Sequence, residues 1–175
     1  MQPDLLKMKR YAPLRVIKDN QIVDDQWQRL ESVEPDQPLP SGDIIVPYAY
    51  WLENRDALSS REGKLGVCIN GDDATEDVAN DLSHFDLIAL EFPMFKDGRS
   101  YSHARLLRER YHYRGELRAV GDVLRDQLFF MKRCGIDSFQ LRADKDMEDA
   151  LKAFNDFTVK YQTATDGAPP IYRLR

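Results

Sequence analysis

From Asp43 onward, short apolar runs alternate with polar turns and helix-length stretches. Residues 87–92 (LIALEF), 117–120 (LRAV) and 138–141 (SFQL) are three such runs, separated by helical segments of ten to a dozen residues. Upstream, 43–47 (DIIVP) and 64–69 (KLGVCI) read the same way, with helices over 48–60 and after the turn Asn70-Gly71-Asp72-Asp73. Strand, polar turn and helix repeated in this order predict parallel βαβ units. Such folds build their binding sites at the downstream ends of the strands, where this chain gathers its charges.

The flanks differ. Residues 14–23 hold two apolar runs around Lys18-Asp19-Asn20-Gln21, which predicts a β-hairpin turning at Asp19-Asn20. Residues 1–13 are mixed and basic and are expected to be loosely ordered, and the proline-rich stretch 31–42 reads as a loop. Met147, Ala150, Leu151, Phe154, Thr158 and Tyr161 form an amphipathic stripe that predicts a long last helix, followed by an extended tail over 163–175.

The fold expected is a single α/β domain over 1–175: hairpin and loop in 1–42, five βα units in 43–162, then the tail. The sheet is mainly parallel, either open or an incomplete barrel, because a full eightfold barrel needs at least about 200 residues.

Composition narrows the function. A formal charge of −5 argues against nucleic acid as the partner. No apolar run reaches the roughly 20 residues of a membrane span. Cys68 and Cys134 form no CxxC pair, and His84, His103 and His112 lack metal-ligand spacing, so no metal site is expected and a reduced, cytoplasmic protein is. No P-loop, GxGxxG or GxSxG motif occurs, and no cofactor is encoded by a recognisable motif.

Candidate chemistry falls on two strand-to-helix turns. Asp97, Gly98, Arg99 and Ser100 lead into a helix over 101–111; Ser100 is the expected cap, and free N–H groups with Arg99 and Arg105 could receive an anion. The same residues also make an ordinary capped turn with surface ion pairs. Gly121-Asp122 forms the second turn, with Asp122 a candidate cap and Arg125, Asp126 and Gln127 following. Between them Arg118 lies within a strand beside Glu116, and a buried guanidinium needs a partner. Glu91 is the candidate: either a Glu91–Arg118 ion pair, or a polar floor of Glu91, Arg118 and Arg142.

Residues 92–142 carry DGR-x-x-S-x-ARLLR, GELRA-x-GD and RDQ, and with these the stretch resembles the signature of the bacterial family called domain of unknown function 934. Gly135-Ile136-Asp137 stands where that family usually shows Gly-Phe-Asp. The resemblance implies a setting in assimilatory sulfur metabolism, beside sulfite reductase and the sulfate-activating reductase. Members are often labelled probable oxidoreductases of sulfite reduction. It also raises the functional reading of the Asp97/Arg99 and Asp122/Arg125 loops and adds Ser102 to them.

The expectation is therefore an accessory protein of sulfite reduction that docks on a reductase or binds a small anionic ligand. Arg99, Arg105, Arg118 and Arg125 would supply charge, Asp97 and Asp122 would orient them, and Gly98 and Gly121 would admit the backbone. The rival is an enzyme acting on a phosphate- or sulfate-bearing molecule with Asp97 or Asp122 as general base. A third reading is a structural subunit whose arginine-rich helix is a homo-oligomer interface.

Overall fold

In a computed structural model the protein is described over residues 14–33, 38–157, 160–167 and 169–173. The expectations for residues 1–13, for the middle of 31–42 and for Thr158 lie outside the described residues.

The hairpin forms as expected, with β1 (Arg15–Lys18) and β2 (Gln21–Asp24) joined at Asp19 and Asn20. Both turn residues have positive φ, 51° and 62°, the conformation that matches strand twist across a two-residue loop. A two-residue strand, β3 (Gln28–Arg29), follows, then β4 (Ile44–Pro47), β5 (Leu65–Ile69), β6 (Leu87–Phe92), β7 (Glu116–Gly121) and β8 (Ser138–Phe139). Together they make one eight-stranded sheet in the order β2-β1-β8-β7-β6-β5-β4-β3. From β3 to β8 every neighbouring pair is parallel, and the hairpin joins β8 antiparallel.

Strand order in the parallel part follows chain order without reversal. Right-handed crossovers then place every helix on the same face, as in a barrel rather than a doubly wound sheet. The helices are α1 (Tyr48–Glu53), α2 (Arg55–Ser59), α3 (Thr75–Ala79), α4 (Arg99–Glu109), α5 (Leu128–Arg133) and α6 (Met147–Lys152). Their apolar residues, Trp51, Leu58, Val78, Leu107, Met131 and Ala150 among them, pack with Ile44, Val46, Val67, Ile88, Leu90 and Leu117 into the main core. The other face carries a small cluster of Ile45, Leu87, Ala89 and Val120, against which Trp27 and Cys68 pack.

Chain length explains the curl of this half-barrel. Laid flat, eight strands at about 4.8 Å spacing would hold β2 and β3 about 34 Å apart. Only Asp25, Gln26 and Trp27 join them, and four peptide steps reach at most about 14 Å. The sheet therefore bends until its two edges approach, and Trp27 enters the hollow so formed.

Three helical expectations change. The helix over 48–60 breaks at Asn54, whose side-chain amide donates to Tyr50 O at 3.0 Å and so competes with the helical ladder. The last helix begins at Met147, with Asp146 capping Glu148 N and Asp149 N, but tightens into a 3₁₀ turn at Ala153–Asn155. Arg125 holds Asp156 there, so the stripe ends and Tyr161 is exposed. Finally, the tail contains a 3₁₀ turn at Ile171–Arg173 instead of running extended throughout.

Candidate functional site

The five loops that follow β4 to β8 share one rim at the C-terminal end of the sheet. After β5, Asn70 Oδ1 accepts from Asp72 N at 2.7 Å and Asp73 Oδ2 accepts from Asn70 N at 2.8 Å, which folds the turn and presents Asp72. After β6, Arg99 Nε and Nη2 donate to the two oxygens of Asp97 at 3.0 and 2.8 Å, and Nη1 donates to Asp72. One guanidinium is thus clamped by two carboxylates. Hydrogen bonds from Arg99 hold the Asp97 carboxyl at about 2, far below its ordinary value, which makes it a weak base at neutral pH.

A second clamp forms across β7 and β8. Arg142 donates to Asp122 Oδ1 at 2.8 Å and to both oxygens of Asp144 at 2.6 and 3.0 Å. Asp122 is therefore an acceptor for Arg142, and the helix it was expected to cap begins later, at the 3₁₀ turn Arg125–Gln127. Gly121 at the head of this loop has φ +96°, and a Cβ there would lie 2.4 Å from Phe92 O. Gly98 has no such need: at φ −97° its added Cβ would meet only the Tyr101 ring, at 3.8 Å.

The remaining candidates do not converge on the rim. α4 already includes Arg99, so Ser100 lies inside the helix; its hydroxyl donates back to Glu91 O at 2.6 Å, and Gly98 occupies the cap position. Arg105 pairs with Glu109 at 2.9 Å on the exposed side of α4, and Ser102 is exposed. Arg125 reaches Asp149 at 3.0 Å and Asp156 at 3.1 Å, tying its turn to α6. Asp126 is exposed, while buried Gln127 accepts from Leu124 N at 3.1 Å.

Arg118 is buried, as its strand position requires, but Glu91 is not its partner. Its Nη1 donates to Asp25 Oδ2 at 2.7 Å, and its Nε and Nη2 donate to Glu116 Oε1 at 3.0 and 2.8 Å. Lys18 completes the cluster at 2.6 Å from Glu116 Oε2. Register gives the reason: Arg118 stands level with Ala89, and Glu91 with Val120, about 7 Å nearer the rim. Burial would push the Glu116 carboxyl up, but Arg118 beside it and the Lys18 and Ser138 side chains hold it below its ordinary value.

Arg108, another residue of the ARLLR run, is a structural tie. It donates to the carbonyls of Tyr113, Gly115 and Gly135 at 2.6 to 2.9 Å and to Asp137 at 2.7 Å. Arg108, Gly135 and Asp137 border a hollow of about 920 Å³ near the N-terminal ends of β7 and β8.

Two smaller hollows open at the rim and share Arg29. One of about 340 Å³ is lined by Arg29, Glu31, Cys68, Asn70, Asp73 and Glu91; the other, about 570 Å³, includes Arg15, Gln140, Arg142 and Lys145. Burial pushes the Cys68 thiol up to about 12, with Arg29 opposing, so it stays protonated at neutral pH. Arg29, Asn70, Asp72 and Asp73 are not among the site residues expected from the sequence, which reads Asn70-Gly71-Asp72-Asp73 only as a turn into a helix; that polar turn after an apolar run is the available signal. Among the described residues no group of His, Cys, Asp and Glu could hold a metal ion, and no helix is long and apolar enough to cross a membrane.

Fold and rim together define a mixed α/β half-barrel with ion-paired loops at its strand ends. The model of the family described as bacterial protein of unknown function (DUF934) matches residues 66–172, more than half of the chain, and the chain belongs to that family. No curated protein and no solved structure matches it.

Proposed function

We propose that this protein is an accessory factor of sulfite reduction that docks on a reductase through the strand-end rim. The observation that carries this reading is the saturation of two arginines in the rim loops: Arg99 and Arg142 are each already held by two carboxylates. A small free anion would have to displace those carboxylates. A protein partner would instead meet a fixed, carboxylate-rich surface. Beside it Met94 and Phe95 are 48% and 58% exposed on the loop after β6, and aromatic and methionine side chains are enriched where proteins meet. The sulfur setting comes from the family resemblance of the signature loops.

Binding to immobilised sulfite reductase tests the reading. Met94→Asp together with Phe95→Asp is expected to weaken binding by about 2 kcal/mol or more, while sulfite, sulfate and phosphate leave the melting temperature unmoved. Unchanged binding by the double variant overturns it. So does an anion that stabilises the wild type and not Arg99→Ala, since that outcome restores the anion site.

A further inference from the structure

Two charged groups at the rim contrast with the saturated arginines. Glu91 is partly buried at the end of β6, and its carboxylate has no hydrogen-bond or ion-pair partner among the described residues. Arg29 makes one side-chain hydrogen bond, at 3.2 Å to Glu31, whose own side chain is 83% exposed. A guanidinium has five N–H donors, and a solvated pair of that kind is easily exchanged. Both groups line the same hollow of about 340 Å³. Cys68, whose thiol stays neutral, lines the same hollow between them. Asn70 adds an amide whose oxygen is occupied by Asp72 N and whose NH₂ has no hydrogen-bond partner among the described residues.

We infer that this hollow, between the ends of β3, β4, β5 and β6, binds a small zwitterion, its ammonium on Glu91 and its anionic group on Arg29. A carboxylate left without a donor and a guanidinium with spare donors, facing one hollow over an uncharged floor, complement a molecule carrying both charges. An anion alone would leave Glu91 unmatched and repelled; a cation alone would leave the spare donors of Arg29 unused. Glu31 and Asp73 also line the hollow, but Glu31 is held by Arg29 and Asp73 accepts from Asn70 N, so Glu91 is the carboxylate without a partner among the described residues. The location agrees with where parallel α/β folds take ligands, outside the carboxyl ends of the strands. The site lies on the same rim as the proposed docking surface but uses none of the clamped arginines and neither Met94 nor Phe95, so the two proposals are tested by different residues.

Two-dimensional amide NMR of the full chain tests the site, with L-alanine and taurine as zwitterionic probes and acetate and ethylammonium as single-charge controls. At least one zwitterion is expected to give saturable shifts in the amides of Arg29, Cys68, Asn70 and Glu91, with weaker responses from both controls. Response to only one of the two identifies the anionic group as carboxylate or sulfonate. Arg29→Gln and Glu91→Gln, each checked by its melting curve, should each weaken binding about tenfold or more. If one variant fails to fold, the other carries the test. Shifts that persist in a folded variant, or controls that bind as well as the zwitterions, overturn the site. So does the absence of saturable shifts with either zwitterion at about 10 mM, a concentration at which a millimolar Kd is readily seen.

Discussion

Replacing Arg118 by methionine tests the cluster at the centre of the hollow face. Arg118 and Asp25 have side chains 2% and 3% exposed, and Glu116 is 7% exposed. Methionine fills much of the same volume but leaves Asp25 buried without its cation, whereas Glu116 keeps Lys18. Breaking one side of a buried pair costs about 3–5 kcal/mol, a large share of the 5–15 kcal/mol that typically holds a domain. For a chain of this size that corresponds to a fall in Tm of about 6–20 °C. Equilibrium urea unfolding followed by circular dichroism measures it. Asp25→Leu added to Arg118→Met should recover most of the loss, because an apolar replacement of the whole pair is often neutral. Glu91→Gln in the same background should recover nothing. A loss below about 1 kcal/mol, the range of solvated pairs, or rescue by the Glu91 change, would refute this account of the cluster.

Two further outcomes follow from the same contacts. Gly121→Ala should cost about 2 kcal/mol or more, since its φ is +96° and its Cβ would strike Phe92 O; Gly98→Ala should cost under about 1 kcal/mol, and equal urea midpoints for the two would contradict the geometry. Glu116 has a folded pKa below its ordinary 4.5, so its stabilisation is present above that value and is lost as pH falls through the folded one. Glu116→Gln should therefore flatten the acid limb of a stability profile taken between neutral pH and pH 3, and an unchanged limb counts against the linkage.

Periodicity carried most of the architecture. The hairpin turn was legible because Asp19 and Asn20 tolerate positive φ, and β4 to β8 because each apolar run ends in a polar turn, although only Ser138 and Phe139 of the last run form a strand. β3 was not, since Gln28 and Arg29 have no apolar signature and become a strand only by pairing with Ile44 and Ile45. The candidate loops were correctly found at strand ends, but their chemistry was hidden. Whether Arg99 is available to a ligand depends on Asp72, 27 residues away, and of the two carboxylates that hold Arg118 one, Asp25, lies 93 residues away, although the other, Glu116, is its near neighbour on the same strand face. Local pattern contains neither distance. Ser100 and Asp122 look like caps wherever a helix starts one residue after them; here α4 starts before Ser100 and the turn after Asp122 starts late.

The pairing of β1 with β8 also sets an order of assembly. β1 and β2 are made before the other strands, yet among the described residues the strand the hairpin docks against is β8, made after all of them: Ile17 pairs with Phe139 and Lys18 with Ser138. The hairpin must therefore wait, marginally stable by itself, until nearly the whole parallel sheet exists. Such long sequence separations slow folding. A nascent chain cut before Ser138 would carry a finished hairpin with no strand to join, and Asp25 could reach Arg118 only across a sheet still open on that side.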